Sequence, residues 1–388
     1  MDIDLEEHQA DLAEIARRFF ESRSPASAVR AWESSEAGYS AELWREMAGL
    51  GWLQLGHPES AGGAGGGVLE LSVLYQAMGR TLAPVPHLES AVIGAGLLAA
   101  AGTPLARDLL DRVFPGESVV TPALAEDDAG FGPESIALPG QLDASGALRL
   151  DGSKILVGYA NSASHLIVAA RTAPPEDTAP AGVTLSPATP SGITLALVET
   201  TAPGVQLTRL PNTAGYPLYA ATFDSVQVGP EAVLGEAGTG WELLEPVLDR
   251  AAVLRAAQIQ GAAERLLELS VGYASRRTQF GQPIGRHQAV QYLCSDIAIH
   301  SHLTSLFVRY AAGLLDAGLP AGKAVSQAKA HASRTARLAP ERAHAVHAGI
   351  AFISDFDVQL FTRRCRHWEL DLGDERYHRE RIAAALAA

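Results

Sequence analysis

The side chains best suited to move a proton in this 388-residue chain cluster near its C-terminus, where RRCRHWELDLGDERYHRER sets Asp371 and Asp374 among arginines. Asp355 precedes that stretch, Asp249 stands in EPVLDRAA, and His347 and His367 add two imidazoles. A carboxylate held within reach of an acidified C–H bond can serve as a general base. The same acid beside arginines is more often a solvated ion-pair partner, and a lone histidine on a helix is more often structural. Cys294 and Cys365 are the two cysteines of the chain and have no paired metal-ligand spacing, so neither a disulfide framework nor a structural metal is expected. No P-loop or Rossmann glycine signature occurs, and any nucleotide cofactor must be held some other way.

The net charge of -14 argues against non-specific nucleic-acid binding. It is unevenly placed: residues 229–388 carry 18 basic against 17 acidic side chains, so the whole deficit lies in residues 1–228. The C-terminal part is the half suited to phosphate-bearing ligands. The Ala/Leu-rich runs are broken by Gly, Pro, Asp or Arg well before the roughly 18 apolar residues of a membrane span. The opening MDIDLEEHQADLAEIARRFF is acidic and amphipathic, without the basic n-region of a signal peptide, and a cytoplasmic setting is expected.

Three textures must position these groups, in line with the roughly two to three domains expected for this length. Residues 1–118 read as a helical domain, with Leu5, Leu12, Ile15, Ala16 and Phe19 at helical spacing and Leu69–Gly79 and Ala91–Ala101 continuing after Gly-rich breaks. From 119 to 228, short Val/Ile/Thr-rich segments such as HLIVAAR and AATFDSVQV predict an antiparallel β-barrel. Within it, TAPPEDTAPAGVTLSPATPSG reads as a mobile surface loop. From 229 to 388 the helical period returns, with Trp241, Leu244, Val247 and Leu248 on one face, and predicts a four-helix bundle. The fold class expected is α+β and multi-domain.

Five segments in this order resemble the acyl-CoA dehydrogenase family: GHPESAGGAGGG at 56–67, ALAEDDAGFG at 123–132, LDGSKILVG at 150–158, LVETTAPGVQL with FDSVQVGPEAVLGE at 197–236, and RTQFGQPIGRHQAVQ at 277–291. They span nearly the whole chain, and the last is the most specific. The resemblance implies FAD, held between barrel and bundle and reaching across a dimer interface. Arg277 would meet its pyrophosphate, since a guanidinium matches phosphate oxygens. Gln279, Phe280, His287 and Gln288 would flank it, and Leu124, Ala125, Gly130, Phe131, Leu156, Val157 and Gly158 would face the isoalloxazine. Ala345, Gly349 and Asp374 would complete the cofactor site. Phe131, Asp249, Arg250, Ala252 and Gly373 would line the substrate.

The family's chemistry removes the proton next to a thioester carbonyl and passes hydride from the following carbon to flavin N5. Its catalytic base is a glutamate at one of two places, which correspond here to Leu372 and Ala251. Further polar flavin contacts are replaced at Ala125, Gly158 and Ala345. Asp371 is the first substitute base, followed by Asp249 and Asp355, with Asp374 also available. Three outcomes remain open: a dehydrogenase of an acyl-CoA or acyl-carrier-protein thioester, in lipid or polyketide metabolism, whose base lies elsewhere; a base-less subunit paired with a paralogue; or a non-oxidative thioester-binding homologue. The resemblance also implies a dimer or tetramer and an acceptor such as electron-transfer flavoprotein.

Overall fold

The computed structural model describes residues 5–127, 130–172 and 192–387. The N-terminal part is helical: α1 (Glu7–Arg23), α2 (Ala26–Glu33), α3 (Ala41–Gly49), α4 (Val68–Thr81), a π-helical segment His87–Gly94, α5 (Ala95–Ala101) and α6 (Pro104–Val113). Its helix starts follow capping rules. Ser40 accepts from the Leu43 N–H, and Thr103 accepts from Ala106 ahead of Pro104 in the first turn. In α1 the buried stripe runs through Ala16 and Phe20, with Leu12 and Phe19 half-buried. Ile15, expected inside, is 57% exposed; at about 100° per residue it falls just off that stripe.

The middle part holds β1 (Val120–Ala123), β2 (Gly140–Leu142), β3 (Leu148–Gly158), β4 (His165–Arg171), β5 (Ile193–Glu199), β6 (Val205–Leu210), β7 (Leu218–Val228) and β8 (Val233–Leu234). The expected antiparallel barrel is corrected here. The strands form two four-stranded sheets, β1-β4-β5-β8 and β2-β3-β7-β6, that do not close on each other. β1 runs parallel to β4, pairing Val120 with His165 and Ala123 with Val168. A strand buried on both faces loses its alternation, as in the continuously buried Leu166–Ala170, and such a run carries no signal of strand direction. β8 lies past residue 228, so the sheet region extends beyond the expected boundary. The Pro-rich loop, from 173 to 191, and Asp128 and Ala129 of the second motif lie outside the described residues.

The C-terminal part contains α7 (Gly240–Arg276), a two-residue hairpin β9 (Thr278–Gln279) and β10 (Gln282–Pro283), α8 (Gln288–Asp316), α9 (Gly322–His347), α10 (Val358–Leu370) and α11 (Glu375–Ala387). The bundle thus has five helices among the described residues, one more than expected. α7 is buried on every side from Ala251 to Ala263, the mark of a central helix. It meets α4 backbone to backbone. A Cβ on Gly79 would lie 1.9 Å from the Gln258 carbonyl oxygen, and one on Gly261 would lie 2.0 Å from that of Gln76. Only glycine permits that approach. No helix among the described residues is long and apolar enough to cross a membrane.

Candidate functional site

The end of β1, the edge of β3, the π-helical segment, the first half of α7 and the turn after α10 converge on a cavity of about 510 Å³. Leu124, Ala125, Gly130, Phe131, Leu156 and Gly158 form its sheet-side wall. Leu156 is aimed there by irregular pairing: the β3–β7 register shifts between Lys154 and Val157, and Leu156 takes φ +55° and stays 54% exposed. Val157, 1% exposed, points into the core and lines no part of the cavity. Behind the wall, buried Lys154 donates from Nζ to the Leu124 carbonyl at 3.0 Å and pairs with Glu126 at 2.5 Å. Glu126 in turn accepts from the Ala137 and Leu138 N–H groups, each at 3.0 Å. Residues 124–126 are therefore held by charge-assisted hydrogen bonds.

The opposite wall is built by α7, α10 and α11. Asp371, first among the expected bases, is gripped by Arg255 through Nε at 2.8 Å and Nη2 at 2.7 Å. Burial works to raise its pKa, but Arg255, then His367 and Lys329, outweigh it and hold the carboxyl below its ordinary value. Asp249 also lines the cavity, and Arg381 of α11 holds both its oxygens, at 2.7 and 3.3 Å. Both acids are ion-pair partners, and the hold of Arg255 makes Asp371 a poor proton acceptor.

Leu372, at one of the two expected glutamate positions, lines the cavity in a left-handed conformation, φ +58°. Strain of this kind persists where the surroundings fix it. His378 donates from Nε2 to the Leu372 carbonyl at 2.9 Å, and burial, then Lys329, lowers this imidazole to about 3, so it is neutral. Buried Lys329 donates to Ser333 Oγ at 2.9 Å, the Glu369 carbonyl at 3.2 Å and the Gly373 carbonyl at 2.7 Å. Burial lowers its pKa to about 7. His367, lowered by burial to about 4, lies with its ring centroid 4.5 Å from that of Tyr216.

Several expected residues lie elsewhere. Ala251, the second glutamate position, is fully buried in α7 and lines no cavity, whereas Ala252 does. Arg250, expected at the substrate, instead turns to the Gly56 carbonyl. Gly373 faces Lys329, and Asp374 accepts from the Tyr377 N–H at 2.8 Å to cap α11. Asp355 is exposed on the loop before α10, away from the cavity. Arg277, Gln279, Phe280, Gln288, Ala345 and Gly349 are exposed and His287 half-buried, none of them lining the cavity. They belong to the α7–α8 connection, the start of α8 and the end of α9, which meet where Tyr273 stacks on His347 at 4.6 Å. Among the described residues no group of three or more His, Cys, Asp or Glu could hold a metal ion.

Among the cavity-lining residues that sequence reasoning missed are Glu89, Tyr377, His378 and Arg381, and it also missed Arg255 and Lys329 behind the wall. Glu89 and Arg255 shared one signal, a single charge inside a mainly apolar helical run (HLESAVIG, AVLRAA). A charge inside such a run is buried in company or not at all.

Residues 6–116 match the sequence model for the acyl-CoA dehydrogenase N-terminal domain, and residues 238–387 match that for the C-terminal domain. The acryloyl-CoA reductase (NADH) of Anaerotignum propionicum is 28% identical over 99% of this chain and 95% of its own length. Among solved structures, the ChsE4-ChsE5 complex from Mycobacterium tuberculosis is 28% identical with a TM-score of 0.87, covering 100% of this chain and 99% of that one. A variant of the Tcur3481-Tcur3483 steroid ACAD is 30% identical with a TM-score of 0.84, covering 98% of each chain.

Proposed function

The chain belongs to the acyl-CoA dehydrogenase family, whose cofactor is FAD, and on that premise we propose that it desaturates an acyl thioester with a base away from both usual positions. The observation that carries this is the 510 Å³ cavity, apolar along the sheet and α7, closed by acids and arginines at the α10–α11 end, and lined by Leu372, the position that the resemblance gives to a glutamate.

The residues present fit the cofactor. Leu156 and Phe131, 54% and 38% exposed, offer an apolar bed for a flat ring system. Arg277 is an exposed guanidinium without a side-chain partner among the described residues, suited to a diphosphate. His287 leaves a buried Nε2 without a partner, and with Gln279, Phe280 and Gln288 would line the nucleotide end. When bound, FAD supplies the hydride acceptor. The chain's own part is to seat the acyl group against Leu248, Ala252 and Leu244, exclude water with that apolar wall, and offer the Leu372 N–H to the thioester oxygen. The substrate is an acyl-CoA or acyl-carrier-protein thioester, with electron-transfer flavoprotein as a fitting acceptor.

The test is an anaerobic titration of the purified protein with acyl thioesters, following flavin absorbance and product mass. Stoichiometric yellow flavin bleached by substrate, with product two hydrogens lighter, is expected. A colourless protein that cannot be reconstituted would leave only thioester binding without oxidation.

A second reading is favoured by the two full-length heteromeric relatives and by the apolar residues at both glutamate positions: a base-less subunit that works beside a paralogue. Native mass spectrometry separates the two. Activity in a homomer supports the first reading, and activity appearing only with a second, related chain supports the other.

A further inference from the structure

We propose that Glu89, reaching into the cavity from the N-terminal helical domain, is the carboxylate that takes the proton from the carbon next to the thioester carbonyl. This rests on the dehydrogenase reading above.

Among the described residues four acids line the cavity, and their engagements differ. Asp371 and Asp249 each have both hydrogen-bonding arms of an arginine upon them, and Glu245 lies 3.5 Å from Arg381. Glu89 has Oε1 at 3.9 Å from Arg255 Nη2, too long for a hydrogen bond, and its Oε2 is buried without a partner. Of these four it is the carboxylate that no arginine hydrogen-bonds, whereas both arms of Arg255 fall on Asp371 Oδ2 and Arg381 holds Asp249.

The fold gives this side chain both a fixed stem and room to point. The π-helical geometry of His87–Gly94 sets its direction, and such segments recur at functional sites. The residues around it are pinned. Ser90 Oγ accepts from the Val120 N–H at 3.1 Å, and His87 joins the Tyr75 hydroxyl at 2.9 Å and donates to the Trp52 carbonyl at 3.0 Å. Opposite, Gly158 leaves space. A Cβ there would stand 3.3 Å from Glu89 Cγ and 3.5 Å from Oε1, so the side chain missing from the sheet wall is the one that would crowd Glu89.

The groups facing Glu89 are Arg255 of α7, Asp371 after α10, Tyr75 of α4 and Tyr159 after β3. Burial raises Glu89 to about 7, against the pull of Arg255, whose own charge is largely answered by Asp371. A base near neutrality is well matched to removing and returning a proton at physiological pH. In the step proposed, Glu89 gains H⁺ and becomes the neutral acid. The C–H electron pair moves into the enolate, whose oxygen lies toward the Leu372 N–H, and return of a proton from Glu89 restores the thioester.

The experiment uses the flavin-loaded protein in D₂O with butanoyl-CoA and octanoyl-CoA, reading deuterium uptake by mass, beside an infrared titration of ¹³C-glutamate-labelled protein. The native protein should exchange and show one carboxyl titrating near neutrality. Glu89→Gln should abolish that band and slow exchange by about 100-fold or more with flavin content unchanged, while Glu89→Asp keeps part of the rate. Exchange in E89Q within threefold of native, or no carboxyl titrating near neutrality, overturns the role of Glu89 and leaves the dehydrogenase reading standing. A native protein that takes up no flavin and exchanges neither thioester overturns that reading, and the proposal with it.

Discussion

Arg255 holds Asp371 with two hydrogen bonds, from Nε at 2.8 Å and Nη2 at 2.7 Å, while the guanidinium itself is only 2% exposed. A buried cation satisfied by one acid depends on that acid. Asp371→Asn should cost about 3 kcal/mol, near the low end for a broken buried pair because Asp371 keeps 28% exposure. Because the folded pKa of Asp371 lies below its unfolded value of 3.8, the stabilisation is present above about pH 4 and lost as pH falls through the folded value. Urea melts of native and variant protein, compared at pH 7 and then at steps below pH 4, should therefore draw together as the pH falls.

Glu89 gives a pH dependence of the other kind. Its folded pKa, about 7, exceeds the unfolded 4.5, so the folded state binds the proton more tightly. Its contribution is full below pH 4.5 and disappears as pH rises through 7, on the order of 3 kcal/mol in all. Denaturant midpoints measured from pH 4.5 to 8 should fall in the native protein and slope less in Glu89→Gln.

Lys329 ties α9 to the turn that carries Leu372. Lys329→Met should cost roughly 1–3 kcal/mol by stranding the Gly373 carbonyl. It should also speed amide exchange at 371–373. Since burial lowers the folded pKa to about 7 from 10.5, the unfolded chain binds the extra proton between those values. Native stability should accordingly rise with pH across that interval, and the variant should lack the rise.

The α4–α7 crossing admits no side chain. Gly79→Ala or Gly261→Ala sets a methyl about 2 Å from a carbonyl oxygen of the other helix. Each should cost about 3 kcal/mol or more, read as a lowered thermal midpoint or loss of soluble protein.

The helical, strand-rich and helical parts were legible because hydrophobic period changes along the chain, and the 277–291 motif carried the family. The sheet arrangement was not, since buried strands such as β4 lose the alternation that reveals register. The site was half legible. Leu124, Ala125, Phe131, Leu156, Gly158, Asp249, Ala252, Asp371 and Leu372 meet at the cavity, whereas Arg250 and Val157 do not. Glu89 escaped notice because the lone acid of HLESAVIG, its one local signal, names neither a partner nor a cavity. Nothing local announces π-helical geometry, and the arginine that faces Glu89 is 166 residues away, at position 255.

The bare-backbone crossing of α4 and α7 also bears on how the cavity could change over time. Side chains between two helices act as adjustable spacers, and here there are none at the point of contact. On the acyl-thioester reading, room for a bulkier group would have to come from exchanging lining side chains such as Leu244, Leu248, Tyr377 and Arg381, since the spacing of α4 and α7 cannot adjust. The α4–α7 spacing is the fixed jaw of the vice.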